Sequence, residues 1–182
     1  VLKELRRIKG DVLLESIPHC TTDNRIRLWQ GDITRLQVDA IVNAANSQML
    51  GCFSPLHACI DNAIHSAAGV QLRLECHELM TKQGHPEPTG SAKITKGYNL
   101  PANHVIHTVG PIIQHDHVTV EDEKLLASCY RSCLAIADEN HLKSIAFCCI
   151  STGEFRFPNP RAAEIAVATV LTYLHETPQT SI

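Results

Sequence analysis

The chain has 182 residues, 44% hydrophobic and 19% charged, enough to bury a core in one domain without disulfides. Sixteen Lys and Arg against nineteen Asp and Glu leave a net charge of −3. No basic tract stands out, which argues against a nucleic-acid backbone partner, and no apolar run reaches membrane-spanning length. No signal peptide is visible, so the eight cysteines point to a reduced, cytoplasmic protein rather than a disulfide framework.

In chain order, VLKELRRIKGDVLLESI carries apolar residues at near-helical spacing, although Gly10 interrupts it. With the linker IPHCTTDNR it forms a predicted N-terminal helical extension over residues 1–25, expected to brace the main domain, residues 26–182. IRLWQGD reads as a strand, and VDAIVNAAN as a second strand apolar on both faces. Ile60, Ile64, Ala67, Ala68 and Leu72 share one face of a long helix bent near Gly69. AKITKGYNL and HVIHTVGP are two strands joined by a turn at Pro101. EDEKLLASCYRSCLAIADEN is a helix with acids in its first turn, and SIAFCCIST a buried strand with Cys148 and Cys149 as small hydrophobes. NPRAAEIAVATVLTYLHET is a closing helix entered through Pro160. Apolar strands alternating with long helices predict a three-layer α/β/α domain with a mixed, mostly parallel sheet, which binds ligands outside the carboxyl ends of its strands.

Three loops sit at expected strand ends: QGDIT (30–34), NAANSQMLGCFSPLHACID (43–61) and STGEFRFP (151–158). Their Gly, Ser, Thr and Asn residues expose backbone N–H groups, which suits a phosphate-bearing ligand. Neither the Walker pattern nor GxGxxG is present. The second loop also holds Cys52, His57 and Cys59, a C-x4-H-x-C spacing whose thiolates and imidazole suit Zn2+. A structural zinc needs four protein ligands, whereas a catalytic one commonly has three and an open position. Cys76, His65 and Asp61 are the candidates for a fourth. Asp61 is either a helix first-turn acid or a contact to metal-bound water. His65 reads as a helix-packing residue, and His104 and His107 as structural strand residues.

GDIT, VDAIVNAAN, DNAIHSAAG, PTGSAKITKGYNLP, HVIHTVGP and STGEFRFP, in that order, resemble the motif set of macrodomains, the ADP-ribose-binding modules, over roughly residues 26 to 175. The likeness is greatest to the hydrolases that remove ADP-ribose from acidic side chains. It implies that Asp32 bonds the adenine amino group, with Ile33 lining the same pocket. Asn43, Ala44, Ala45 and Asn46 would border the distal ribose, with Asn46 binding it. Asp61 would match the acid that precedes the AIH helix in the hydrolase branch and, with Asn46, be a catalytic residue, Asp61 as the base toward water or a ribose hydroxyl. Ser151, Thr152, Gly153, Glu154 and Phe155 would form the diphosphate loop, with Phe155 against the distal ribose. Two departures stand out. The usual glycine-rich loop before the DxAIH motif is replaced by GCFSPLHACIDNAIH, keeping only Gly51, and Arg156 stands where a glycine is usual. The first resembles a zinc-dependent microbial branch found beside sirtuin-type ADP-ribosyltransferases and lipoylated carrier proteins. The resemblance therefore implies a zinc-dependent mono-ADP-ribosyl hydrolase acting on Asp or Glu esters, with such a carrier as a candidate partner. A reader module with a bracing zinc and an O-acetyl-ADP-ribose deacetylase are the alternatives.

Overall fold

The computed structural model describes residues 10–54, 56–114 and 117–182. The leading part of the expected helical extension, residues 1–9, lies outside them. The main sheet has the order β4-β5-β3-β6, with β3 Ala40–Ala45, β4 Ala92–Lys96, β5 His104–Val109 and β6 Ile145–Ala146. β5, β3 and β6 run parallel, and β4 pairs antiparallel with β5. A separate parallel pair joins β1 (Val12–Leu13) to β2 (Leu36–Gln37).

Three sequence expectations do not hold. Beyond Gly10 the extension is not α-helical: it forms β1 and a 3-10 turn, Leu14–Ser16, and then buries Ile17. Residues 26–32 form no ladder strand; they carry one isolated bridge, between His19 and Arg27, and a bend at Gly31. The QGDIT segment therefore does not follow a strand. SIAFCCIST is likewise only a two-residue strand, with Cys148 half-buried and Cys149 exposed.

Side chains alternate across a strand, and β3 shows the result. Ala40 and Val42 face the layer made by α3 (Val120–Glu139) and α4 (Asn159–Glu176), whereas Ile41 joins the opposite core. That second core is covered by α1 (Ile60–Ala68) and α2 (Val70–Gln83). Ile41, Ile64, Leu72 and Val105 are fully buried there, each contributing about 1.5–3 kcal/mol over exposure. The next residues on this face are Asn43 and His107, paired directly across β3 and β5. The period of two therefore plants two polar side chains beneath α1.

α1 and α2 are the two halves of the expected bent helix. Gly69, at φ +96°, makes the break, and the freed Ala68 carbonyl accepts from Asn99 N–H and Nδ2. α3 starts with a capping box, the Thr119 hydroxyl and Asp122 carboxylate each bonding the other's backbone N–H. Its Cys129 and Cys133 are buried in the core. Pro160 sits in the first turn of α4. Among the described residues no helix is long and apolar enough to cross a membrane.

Candidate functional site

The loop from Asn46 to Cys59 leaves the carboxyl end of β3 and enters α1. Asn46 organises its start. Its Oδ1 accepts from the N–H groups of Gln48 (3.0 Å) and Met49 (3.1 Å), and its Nδ2 donates to the Gly51 carbonyl at 3.3 Å. Its side-chain contacts thus run to its own loop. Gly51, at φ +82°, then crosses directly over His65, where a Cβ would lie 2.9 Å from the ring. Only glycine fits such a crossing.

Beyond Gly51 the chain gathers Cys52, His57 and Cys59, whose donor atoms all lie within 4.8 Å of one another. Cys52 Sγ is 3.4 Å from His57 Nδ1. A tetrahedral zinc with ordinary bond lengths would set these donors about 3.5 Å apart, so the residues fit the ion. Local bonds hold the arrangement. His57 N–H donates to the Ser54 carbonyl at 3.2 Å, and Asn62 Nδ2 donates to the His57 carbonyl at 2.9 Å. Cys59 is the N-cap of α1, its sulfur accepting from Asn62 N–H at 3.4 Å. The other edge of the imidazole, Nε2, lies 3.2 Å from Glu154 Oε1. The Ser54 N–H and the His57 ring lower the Cys52 thiol, while burial raises that of Cys59. Cys52 and the nearby Glu154 raise His57.

The expected fourth ligands do not join this triad. His65 and Cys76 instead form a second, fully buried group with His107, again within 4.8 Å. Asp61 lies between the two groups, 5% exposed in the first turn of α1. Asn43 Nδ2 donates to Asp61 Oδ1 at 2.8 Å and lies 3.1 Å from His107 Nδ1. His107 Nε2 meets the Thr95 hydroxyl at 2.9 Å. Burial raises Asp61, against the Asn43 hydrogen bond and the charge of Arg73, both of which favour the carboxylate. Burial lowers His65 to about 4 and His107 to about 3, so both rings are neutral at physiological pH. Both nitrogens of His65, and Asn43 Oδ1, have no hydrogen-bond partner among the described residues.

The loop after β6 faces the same rim. Ser151, at φ +64°, turns the chain, and its Oγ packs where a Cβ on Gly110 would lie 2.0 Å away. Phe157 N–H donates to the Ser151 carbonyl (2.9 Å), Arg156 N–H to the Gly153 carbonyl (3.0 Å), and Ile113 N–H to the Phe155 carbonyl (2.8 Å). The N–H groups of Gly153, Glu154 and Phe155 donate to no other described residue. Such consecutive free amides form an anion-binding concavity. Arg156 takes the left-handed conformation, φ +59°, which explains the glycine usual at this position.

Asp32 caps a 3-10 turn, Ile33–Arg35, accepting from Thr34 N–H (3.1 Å) and Oγ1 (2.6 Å). Ile33 is buried beside it. Ala44 and Ala45 end β3, half-buried and buried. Asn43, expected beside the ribose, is wholly buried under Asp61. Sequence reasoning missed the Asn43–His107 contact, which the pairing of two polar residues in otherwise apolar strands signals. It also missed Asn62 as the brace of the Cys–His–Cys loop and the Glu154 side chain as a partner of His57; neither spacing nor periodicity marks them.

Residues 42–166 match the family described as Macro domain. The chain is 55% identical over 179 residues to a protein-ADP-ribose hydrolase of Staphylococcus aureus strain MSSA476, covering 98% of this chain and 62% of that protein. To a protein-ADP-ribose hydrolase of Treponema medium it is 66% identical over 143 residues, covering 79% of this chain and 54% of that protein. It therefore spans less than two thirds of the length of these curated relatives. The solved Trypanosoma brucei macrodomain in complex with ADP-ribose superposes with a TM-score of 0.78 at 38% identity, covering 93% of this chain and 68% of that one.

Proposed function

The chain belongs to the macrodomain family, and from that premise we propose that it is a zinc-dependent ADP-ribosyl hydrolase that releases mono-ADP-ribose from Asp or Glu side chains of modified proteins. The observation that carries this reading is the Cys52, His57 and Cys59 triad, three donors within 4.8 Å with no fourth among the described residues, standing next to buried Asp61. When bound there, zinc would supply Lewis acidity toward water, a ribose hydroxyl or the ester oxygen.

The chain's own residues divide the remaining work. The amides of 153–155 would hold the diphosphate, and Asp32 with Ile33 the adenine. Asn46 would shape the ribose side of the loop, and Phe155 would close on the ring. These contacts fix the ester bond at the triad. Asp61 would accept the proton of the attacking water as the bond between C1 of the distal ribose and the carboxylate breaks. The carboxylate leaves as an anion, and water supplies the new hydroxyl. Asn43 donates to Asp61 Oδ1, which holds the acid in place and favours its carboxylate form against the burial that raises it. For the modified protein we favour a lipoylated carrier, on the likeness of the Cys–His–Cys loop to that branch of the family. The eight free thiols are in keeping with a cytoplasmic setting.

The test measures ADP-ribose release from an Asp- or Glu-modified protein, by the protein as purified and after chelation, with zinc content assayed in parallel. Loss of release on zinc removal, with ADP-ribose still bound, is expected. Full release by the zinc-free protein overturns the metal role. Tight binding without release in either state makes the protein a reader with a zinc brace.

A further inference from the structure

We infer that Glu154 is a positioning residue for the metal site, its carboxylate orienting His57 so that Nδ1 points at the metal position. The inference rests on the zinc reading above and goes beyond the part expected of residue 154, which concerned its backbone alone.

Most of His57 is already fixed from within its own loop. Its N–H is held by Ser54 and its carbonyl by Asn62. Those bonds set the backbone and leave the imidazole free to rotate. The ring has two chemically distinct nitrogens, and only one can face the thiols. Nδ1 lies 3.4 Å from Cys52 Sγ, while Nε2 lies 3.2 Å from Glu154 Oε1. A carboxylate accepting from Nε2–H keeps the proton on that nitrogen and leaves the Nδ1 lone pair for a metal. Among the described residues no other side chain is hydrogen-bonded or ion-paired to Nε2. An exposed His–Glu pair alone stabilises a fold very little, and Glu154 has a side-chain exposure of 63%. Its effect is therefore expected on the metal and not on folding. Glu154 reaches His57 from the loop after β6, so the ring is oriented from outside the segment that carries the ligands.

The experiment is a zinc titration against a chromophoric chelator for the wild type, Glu154→Ala, Glu154→Gln and Cys52→Ser, without substrate. Glu154→Ala is expected to weaken zinc affinity about 10- to 100-fold. Glu154→Gln should recover part of it, because the amide carbonyl still accepts from Nε2–H. Thermal unfolding of the zinc-free proteins should be unchanged, since an exposed pair adds little to the fold. If Glu154→Ala binds zinc as tightly as the wild type while Cys52→Ser loses it, the positioning role is wrong and the metal site stands. If the wild type itself holds no zinc, both readings fall together.

Discussion

Two groups of nitrogen and sulfur donors lie on either side of Asp61, each with three donor atoms within 4.8 Å. Cys52, His57 and Cys59 are partly open to solvent; His65, Cys76 and His107 are sealed. The difference is electrostatic. In the sealed group burial pushes the Cys76 thiol to about 12 and holds both histidines far below their ordinary value. A thiol in that state keeps its proton, and a zinc ligand must lose it. In the open group the Ser54 N–H and the His57 ring favour the Cys52 thiolate instead. Two donor triads of similar closeness, two thiols with one imidazole and one thiol with two imidazoles, thus give a candidate metal site in one place and a polar scaffold under the buried Asp61 carboxylate in the other. Donor count alone does not distinguish them: burial raises thiols in both groups, Cys59 included, but the open group also has a thiol, Cys52, whose neighbours lower it.

The largest effect is expected from breaking the open group. Cys52→Ala should lower turnover by at least ~100-fold while ADP-ribose affinity stays close to that of the wild type. Near-normal turnover in a variant shown to lack zinc would contradict the comparison. The next effect comes from the sealed group and is a matter of pH. His65 and His107 are buried neutral, with ordinary values of 6.5 lowered to about 4 and about 3. Above pH 6.5 neither state binds the protons, so stability is flat. Below it the unfolded chain binds them first and folding weakens, by up to about 1.4 kcal/mol per pH unit for each histidine, until the folded values are reached. Asp61, raised in the fold, acts oppositely: its cost is present above its folded value and lifts as the pH falls toward 3.8. Denaturant unfolding between pH 7 and 4 measures the net slope, and a flat profile would argue against neutral burial.

Cys76→Ala sharpens the comparison from the other side. It should cost about 1–2 kcal/mol through the lost packing of a fully buried sulfur, with zinc stoichiometry unchanged. A fall in zinc content would make the sealed group a metal site after all. The smallest effect concerns Arg156. Replacing this exposed, left-handed residue by glycine should raise stability by a few tenths to about 1 kcal/mol, relief of strain outweighing the added freedom of the unfolded chain. Calorimetry would read it as a small rise in Tm.

Where periodicity was long enough to read, it located the fold. The apolar run of β3, the face shared by Ile64, Ala68 and Leu72, and the bend at Gly69 all stand where the pattern placed them. Short elements were illegible for a physical reason. β1 has two residues and owes its existence to Leu36 and Gln37, far along the chain. Leu28, one of the apolar residues that suggested a strand at 26–32, is 83% exposed and packs on nothing that would hold it there. The three candidate metal ligands and Asp61 lie in one stretch and could be read as a group. Glu154, Asn43 and His107 reach the site only after the sheet has formed, and a linear spacing cannot express that. Arg156 was legible in a different way: its departure from a glycine position marked a backbone conformation.

The crossing at Gly51 has a consequence for engineering. The segment behind it is pinned at its entrance by the His65 ring and at its exit by the sulfur that caps α1. Between these anchors lie the Cys52, His57 and Cys59 side chains. A transplanted loop of other chemistry has to supply only a glycine where it passes over His65 and a side-chain acceptor for the Asn62 N–H, a place that serine, threonine or aspartate fills readily. The buried scaffold beneath, Asn43, His65 and His107, would be left in place while the chemistry above it is exchanged.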